Sequence, residues 1–207
     1  MAGRGDKTRF DDLAVKVPEL GGLASGRGMK TLVTPLLNQP YRLIESYALL
    51  RGKDSVFYLH NGAGELMRYG DMHAVTLNRT FSHSYHDGKL YCNFIKVLIY
   101  LSDLHSEDDG PFCFVQGSHK ANFPWFGEDQ LDGEKPALTQ ENFPSLERLY
   151  VLAGDAVIIN EALLHGTLPK STEGPRLVMA FSYSPAFIAD WKAIDVDSDD
   201  IAKLGHY

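Results

Sequence analysis

One histidine and one arginine near the carboxyl end of the sequence have the types and spacing needed to hold a metal-bound organic acid. His165 comes after the apolar segment 156–160. Arg176, eleven residues after His165, begins the next apolar segment. A neutral imidazole nitrogen is a common metal ligand, and an arginine guanidinium binds a carboxylate through two parallel hydrogen bonds. If the two residues lie on neighbouring strands, they would form a site for a metal and the acid that chelates it.

Other histidines and carboxylates could complete such a site. His60 ends an apolar segment and precedes the glycine-rich bend 61–65. The segment 66–90 is irregular, which in a small domain is often a sign of function, and it contains Asp71, His73, His83, His86 and Asp87. Lys96 lies within an otherwise apolar segment, where it either neutralises an inward-facing carboxylate or extends from an exposed edge.

Several short segments with strand-like composition must position these residues. The clearest is 92–101, which is nearly continuous in apolar residues and predicts a strand covered on both faces. A turn signal separates it from 112–115, so we expect these two strands to form a hairpin. Further strands are expected at 41–50, 55–60, 149–152, 156–160 and 176–183. Many short strands with frequent turns predict an all-β core, a jelly roll with a cavity between its sheets.

The strand expected at 176–183 has two different faces. Side chains alternate along a strand, so Arg176 shares its face with the small residues Val178, Ala180 and Ser182. The opposite face carries the bulkier Leu177, Met179, Phe181 and Tyr183. We expect the small face to leave room for a ligand beside the guanidinium and the bulky face to supply core.

Size and composition restrict the class of protein. A chain of 207 residues can bury a full core as one domain, and we expect a polar lead-in segment at 1–31, the folded domain at 32–185 and a tail at 186–207. A net charge of -7 without a basic stripe argues against nucleic acid or a membrane as partner. The only two cysteines lie in apolar segments, which favours buried thiols in a reducing compartment, the cytoplasm.

A series of motifs resembles a known family. The strand ending in His60, the segment Gly-Pro-Phe-Cys-Phe-Val-Gln-Gly-Ser-His-Lys at 110–120, and His165-Gly-Thr followed by Arg176 resemble the phytanoyl-CoA dioxygenase-like family of iron(II)- and 2-oxoglutarate-dependent oxygenases. The resemblance covers about residues 32–185. It implies a double-stranded β-helix, a cupin-like jelly roll with a few peripheral helices. It also implies an iron(II) ion held by two histidines and a carboxylate, with 2-oxoglutarate, O2 and a small-molecule substrate as partners.

The resemblance assigns roles to individual residues. His60 matches the first iron histidine and His165 the second. Arg176 matches the arginine that holds the distal carboxylate of 2-oxoglutarate, and Thr167 matches a hydroxyl that assists it. The family pattern at the first histidine is His-x-Asp or His-x-Glu, whereas this sequence has Gly62 at that position.

The missing carboxylate leaves several alternatives. Another acid could be the third ligand: we assign Asp87 as the candidate, with Glu65 and Glu161 as the other possibilities. The His-x-Gly pattern also resembles that of iron halogenases, in which chloride occupies the vacated position. The domain could instead have lost iron and serve as a binding module, or His83 or His86 together with Asp87 could supply the ligands.

The resemblance implies an overall reaction. We expect an oxygenase that hydroxylates a small organic substrate and releases succinate and CO2, with a halogenase and an inactive jelly-roll binding module as the alternatives. The sequence names neither the substrate nor the oligomeric state.

Overall fold

A computed structural model describes residues 7–37, 40–60, 83–120 and 136–187. Among these residues, no helix is long and apolar enough to cross a membrane. The predicted tail at 186–207 and the bends that contain Gly62 and Glu65 lie almost wholly outside the described residues. The side chains of His83 and His86 also lie outside the described part.

The fold is built from two main antiparallel sheets. The larger sheet has the order β1-β2-β11-β6-β9, with bounds β1 Lys7–Asp11, β2 Tyr41–Arg51, β11 Arg176–Pro185, β6 Ile95–Tyr100 and β9 Ala156–Asn160. The smaller sheet has the order β3-β10-β7-β8, with bounds β3 Phe57–His60, β10 His165–Thr167, β7 Phe112–Val115 and β8 Leu146–Leu149. A separate hairpin pairs β4 His83–His86 with β5 Lys89–Cys92. The jelly-roll prediction is confirmed.

The expected hairpin between the strands at 92–101 and 112–115 does not form. In the larger sheet β6 pairs with β11 and β9, whereas in the smaller sheet β7 pairs with β10 and β8. The segment between them crosses from one sheet to the other. The turn residues at 108–111 are compatible with either path, so local turn chemistry could not distinguish them.

The two faces of β11 have the roles expected from their side chains. Met179, Phe181 and Tyr183 belong to a buried cluster on the outer face of the larger sheet. Val178 and Ala180 belong to a second cluster between the sheets, which also contains Phe112 of β7. Strand β6 alternates in the same way, because Val97 lies in the outer cluster while Leu98 and Tyr100 face the space between the sheets.

Three helices cover the outer face of the larger sheet: α1 Leu13–Lys16, α2 Pro18–Ser25 and α3 Arg27–Leu37. Ala14, Ala24, Met29 and Val33 of these helices pack into the cluster that contains Phe181. Residues 7–31 therefore form a strand and helices of the domain, unlike the polar lead-in expected for 1–31. The helices have few apolar side chains, and each helix buries only one narrow face. Composition does not reveal such a face, so the segment looked polar.

Candidate active site between the two sheets

Two histidines face each other across neighbouring strands of the smaller sheet. His60 of β3 and His165 of β10 are register partners, and their ring centroids are 4.3 Å apart. The close pairing depends on Gly166, where an added Cβ would lie 2.5 Å from the Phe57 carbonyl oxygen. Phe112 stacks on the His165 ring, and Phe57 contacts the His60 ring edge to face.

Both histidines are held in the tautomer that suits a metal ligand. His60 Nδ1 lies 3.1 Å from the Tyr58 carbonyl oxygen, and His165 Nδ1 lies 2.7 Å from that of Leu163. A carbonyl oxygen only accepts hydrogen bonds, so Nδ1 carries the proton and donates. The lone pair is then on Nε2, the usual arrangement of an imidazole that binds a metal.

Burial keeps the two imidazoles neutral near pH 7. Burial, reinforced by the neighbouring His165, lowers the pKa of His60 to about 4. Burial also lowers the pKa of His165, although Glu161 opposes the shift. Neutral imidazole is the form that ligates metal ions.

Glu161 joins the two histidines. It follows β9, where its backbone N–H donates to the Phe94 carbonyl oxygen at 3.1 Å, and its side chain is buried. One potential ligand atom from each of His60, Glu161 and His165 lies within 4.8 Å of the others. Two imidazoles and one carboxylate are the donor set of non-haem iron(II) oxygenases.

Glu161 is charged because Lys96 is its counter-ion. Lys96 Nζ lies 2.7 Å from Glu161 Oε1, and both side chains are nearly buried. Burial alone would raise the pKa of Glu161, but Lys96 and the two histidines lower it to about 2. Burial alone would likewise lower the pKa of Lys96, and Glu161 raises it instead. Lys96 thus neutralises an inward carboxylate, one of the two roles expected from its place in an apolar strand.

Asp87, the third ligand predicted from the sequence, does not lie with the two histidines. Asp87 occupies the turn between β4 and β5, with φ 50 and an exposed side chain. It does not belong to the group formed by His60, Glu161 and His165. The assignment of Asp87 therefore has no support in the described residues, and Glu161, one of the alternatives, is the acid that the fold brings to the histidines.

Arg176 and Thr167 lie together, as their predicted shared role requires. Arg176 donates through Nη1 to the Gly110 carbonyl oxygen and through Nη2 to Thr167 Oγ1 at 3.3 Å. The Phe57 N–H also donates to Thr167 Oγ1, at 3.0 Å. Because this oxygen accepts twice, the hydroxyl proton remains available to a ligand. Burial lowers the pKa of Arg176 to about 10, so the guanidinium is charged at neutral pH.

Two carboxylates near Arg176 in the sequence, Glu161 and Glu173, pair with other residues. Glu161 pairs with Lys96, and Glu173 pairs with Lys53 at 2.7 Å on the surface. Arg176 lines the cavity, and neither of these two carboxylates forms an ion pair with it.

A partly open cavity of about 70 Å3 connects the histidines to the arginine. Its apolar walls come from both sheets. The polar groups that line it are His60, His165, Lys96, Tyr47, Tyr100, Thr167, Arg176 and Arg51. Sequence analysis did not single out Arg51. Tyr47, Leu49 and Arg51 are two residues apart along β2, and this spacing places all three on one face of the strand.

The residues present fit a divalent metal and a dicarboxylate. The first end of the site has the Nε2 atoms of His60 and His165 and the charged carboxylate of Glu161. The second end has the buried guanidinium of Arg176 and the hydroxyl proton of Thr167. An α-keto acid that chelated a metal at the first end would present its far carboxylate towards the second. Buried charges are stable only when they are paired or bind a ligand of opposite charge.

Comparisons with known proteins agree with this chemistry. The sequence profile of the family Phytanoyl-CoA dioxygenase (PhyH) matches residues 65–178. The chain is 45% identical to HygX from Streptomyces hygroscopicus in a crystal structure with nickel and 2-oxoglutarate bound, covering 93% of this chain and 76% of that one, with a TM-score of 0.76. A structure of the same protein with iron bound gives 46% identity, 94% and 78% coverage and a TM-score of 0.76.

A more distant likeness concerns the fold alone. The non-heme alpha ketoglutarate dependent epimerase SnoN from nogalamycin biosynthesis is 20% identical, with 86% of this chain and 61% of that chain covered and a TM-score of 0.56. No curated protein sequence matches the chain.

Proposed function

The chain belongs to the phytanoyl-CoA dioxygenase family, and from that premise we propose that it hydroxylates a small organic molecule and releases succinate and CO2. It is an iron(II)- and 2-oxoglutarate-dependent oxygenase. The observation that carries the proposal is the convergence of His60, Glu161 and His165 within 4.8 Å. The reaction needs O2 as the second co-substrate, and the iron with its keto acid supplies the oxygen activation.

We assign the iron to His60, His165 and Glu161. The histidines would bind through Nε2, because Nδ1 of each donates to a backbone carbonyl. Lys96 pairs with Oε1 of Glu161, which leaves Oε2 as the oxygen available to the metal. Such a triad leaves open positions for the keto acid and O2.

We assign 2-oxoglutarate to the space between the histidines and Arg176. Arg176 binds the distal carboxylate, and the Thr167 hydroxyl donates to it. Leu98, Phe112 and Val178 line the same cavity and exclude water from the reacting groups. Exclusion of water strengthens each of these charge interactions.

Glu161 favours the hydroxylase over the two alternative functions. A halogenase needs a position without a carboxylate, and Gly62 suggested one. Glu161 offers a carboxylate from another strand end, which favours the hydroxylase. The convergence of one carboxylate and two imidazoles also argues against a metal-free binding module, because these three groups form a metal-ligand set.

Similarity to HygX suggests which substrates to test. HygX, 45% identical to this chain, has a crystal structure with nickel, 2-oxoglutarate and hygromycin B bound. We infer that hygromycin B and related compounds are the first substrates to test. We place the enzyme in the cytoplasm, where the buried free thiol of Cys113 stays reduced.

An anaerobic titration tests the proposal. Addition of iron(II) and 2-oxoglutarate should produce the weak visible charge-transfer band of the chelate, and His165→Ala should abolish it. His105→Ala is the matched control, because its side chain is 68% exposed on a surface loop. If the unmodified protein gives no band and binds no iron(II), it is not an oxygenase. Dependence of the band on chloride would support the halogenase instead.

A further inference from the structure

A second arginine lies directly beside Arg176. Arg51 at the end of β2 is the register partner of Arg176 at the start of β11. Directly opposed residues of an antiparallel pair have Cβ atoms about 4.5–5.5 Å apart on one face. Both residues are 3% exposed and both line the cavity. Two guanidinium groups are thus buried next to each other.

No protein group balances the charge of Arg51 in the described part of the chain. No carboxylate of the described residues forms an ion pair with Arg51 or Arg176, and the buried Nε of Arg51 has no hydrogen-bond partner there. Burial lowers the pKa of Arg51, and the neighbouring charge of Arg51 contributes to the lowered pKa of Arg176. An arrangement of this kind is stabilised when an anion binds between the two cations.

Phe57 connects Arg51 to the same end of the cavity. The Arg51 guanidinium carbon lies 5.3 Å from the centre of the Phe57 ring, a cation–π contact that orients it. The backbone N–H of Phe57 donates to Thr167 Oγ1, which also accepts from Arg176. Arg51, Thr167 and Arg176 therefore line the same cavity and are linked through Phe57.

We propose that Arg51 is a second guanidinium for the distal carboxylate of the keto acid, acting with Arg176 and Thr167. The inference rests on the proposed function. A carboxylate has two oxygens with about four lone-pair sites, so it can accept hydrogen bonds from both arginines. The pair selects a dicarboxylate such as 2-oxoglutarate over an α-keto acid that lacks the distal carboxylate.

Keto-acid binding to Arg51→Met tests the inference. The Kd for 2-oxoglutarate, measured from the anaerobic iron(II) chelate band, should rise by about 30-fold or more. The Kd for 2-oxobutyrate, which has no distal carboxylate, should change less than about twofold in the same variant. Lys53→Met is the matched control: it removes a positive charge two residues away, on a side chain paired with Glu173 at the surface, and both affinities should stay unchanged.

Two further measurements separate the outcomes. The metal-free Arg51→Met variant should be at least as thermally stable as the parent, because it removes repulsion between buried cations, and its nickel(II) affinity should be unchanged. Equal weakening of both keto acids, or a loss of thermal stability, would show a structural role and overturn the inference. Unchanged 2-oxoglutarate binding would also overturn it, whereas a parent protein without any chelate band would remove the proposed function itself.

Discussion

Glu161 is a buried carboxylate with a lysine on one side and two histidines on the other. Without metal, Lys96 balances its charge and explains its low pKa. With a divalent metal, the free oxygen of the carboxylate can bind while Lys96 keeps the other oxygen. On the proposed assignment, Lys96 would be a positioning residue, since it would act on the metal through Glu161. On the proposed assignment, Glu161 would supply the carboxylate that the sequence lacks at Gly62, about a hundred residues earlier in the chain.

At the residue scale, Glu161→Gln should weaken nickel(II) binding by at least about 100-fold. Loss of groups that merely orient a ligand already weakens metal binding about 10–100-fold, and here a ligand itself is removed. Isothermal titration calorimetry of the metal-free protein measures the effect. Asp87→Asn is the matched control and should bind nickel(II) as the parent does. The reverse pattern would make Asp87 the third ligand.

Glu161→Gln also leaves Lys96 buried without its ion-pair partner. Removing one partner of a buried pair destabilises a protein by about 3–5 kcal/mol. The double variant Lys96→Met/Glu161→Gln removes both charges and should recover stability in thermal unfolding without recovering metal binding. That combination separates loss of a ligand from loss of fold.

At the scale of elements, the pairing of β3 with β10 determines the distance between the two histidines. His60 and His165 are opposite each other because the strands approach closely at Gly166. The same pairing brings the Phe57 N–H to Thr167 and the Phe57 ring beneath Arg51. One strand contact therefore positions the metal end and the carboxylate end of the cavity together.

Gly166→Ala should separate these strands. The new Cβ would lie 2.5 Å from the Phe57 carbonyl oxygen and 3.0 Å from the Tyr58 carbonyl carbon, both backbone atoms. We expect a loss of about 1–3 kcal/mol in unfolding free energy and at least about tenfold weaker nickel(II) binding, measured by urea unfolding and calorimetry. Gly22→Ala in α2 is the control. Apart from its chain neighbours and the nearby helix backbone, no atom lies within 4 Å of the added Cβ, so this substitution should stabilise the fold slightly. Normal metal binding in Gly166→Ala would contradict the proposed dependence on strand spacing.

At the scale of the whole molecule, the helices and the cavity lie on opposite faces of one sheet. Tyr183 of β11 donates to the Ala24 carbonyl oxygen of α2 at 2.7 Å, and Phe181 beside the helices is fully buried. On the other face of the same strand, Arg176 and Val178 line the cavity. Loss of the helices would expose one face of the strand that carries the site on the other.

A variant that begins at residue 32 should therefore fail to fold. It lacks β1, α1, α2 and half of α3, and exposes the apolar cluster around Phe181 to water. Circular dichroism, thermal unfolding and size-exclusion chromatography should show aggregation or loss of the cooperative transition. A variant that begins at Lys7 is the control and should unfold like the parent. A stable, cooperative protein from residue 32 onwards would restore the lead-in interpretation of 1–31.

Sequence reasoning succeeded where the signal is local. The alternation along 176–183 predicted which face of β11 is core and which lines a cavity, because side-chain direction depends only on position along a strand. The expectation that His165 and Arg176 lie on neighbouring strands was wrong, because β10 belongs to the smaller sheet and β11 to the larger, and the two residues line one cavity from different sheets. The expected hairpin after β6 failed because a turn motif does not specify which sheet the chain enters next.

The sequence by itself indicated an all-β core and a histidine and an arginine suited to a metal and an organic acid, and its resemblance to a known family added a second histidine and a threonine. Only the tertiary structure shows that Glu161 is the acid next to the two histidines and that Arg51 lies next to Arg176. The reason is physical. A residue's own periodicity sets the direction of its side chain, but its neighbours across a sheet depend on strand order and register. Those are settled by packing of the whole chain, so residues as distant as Lys96 and Glu161 meet only in the fold.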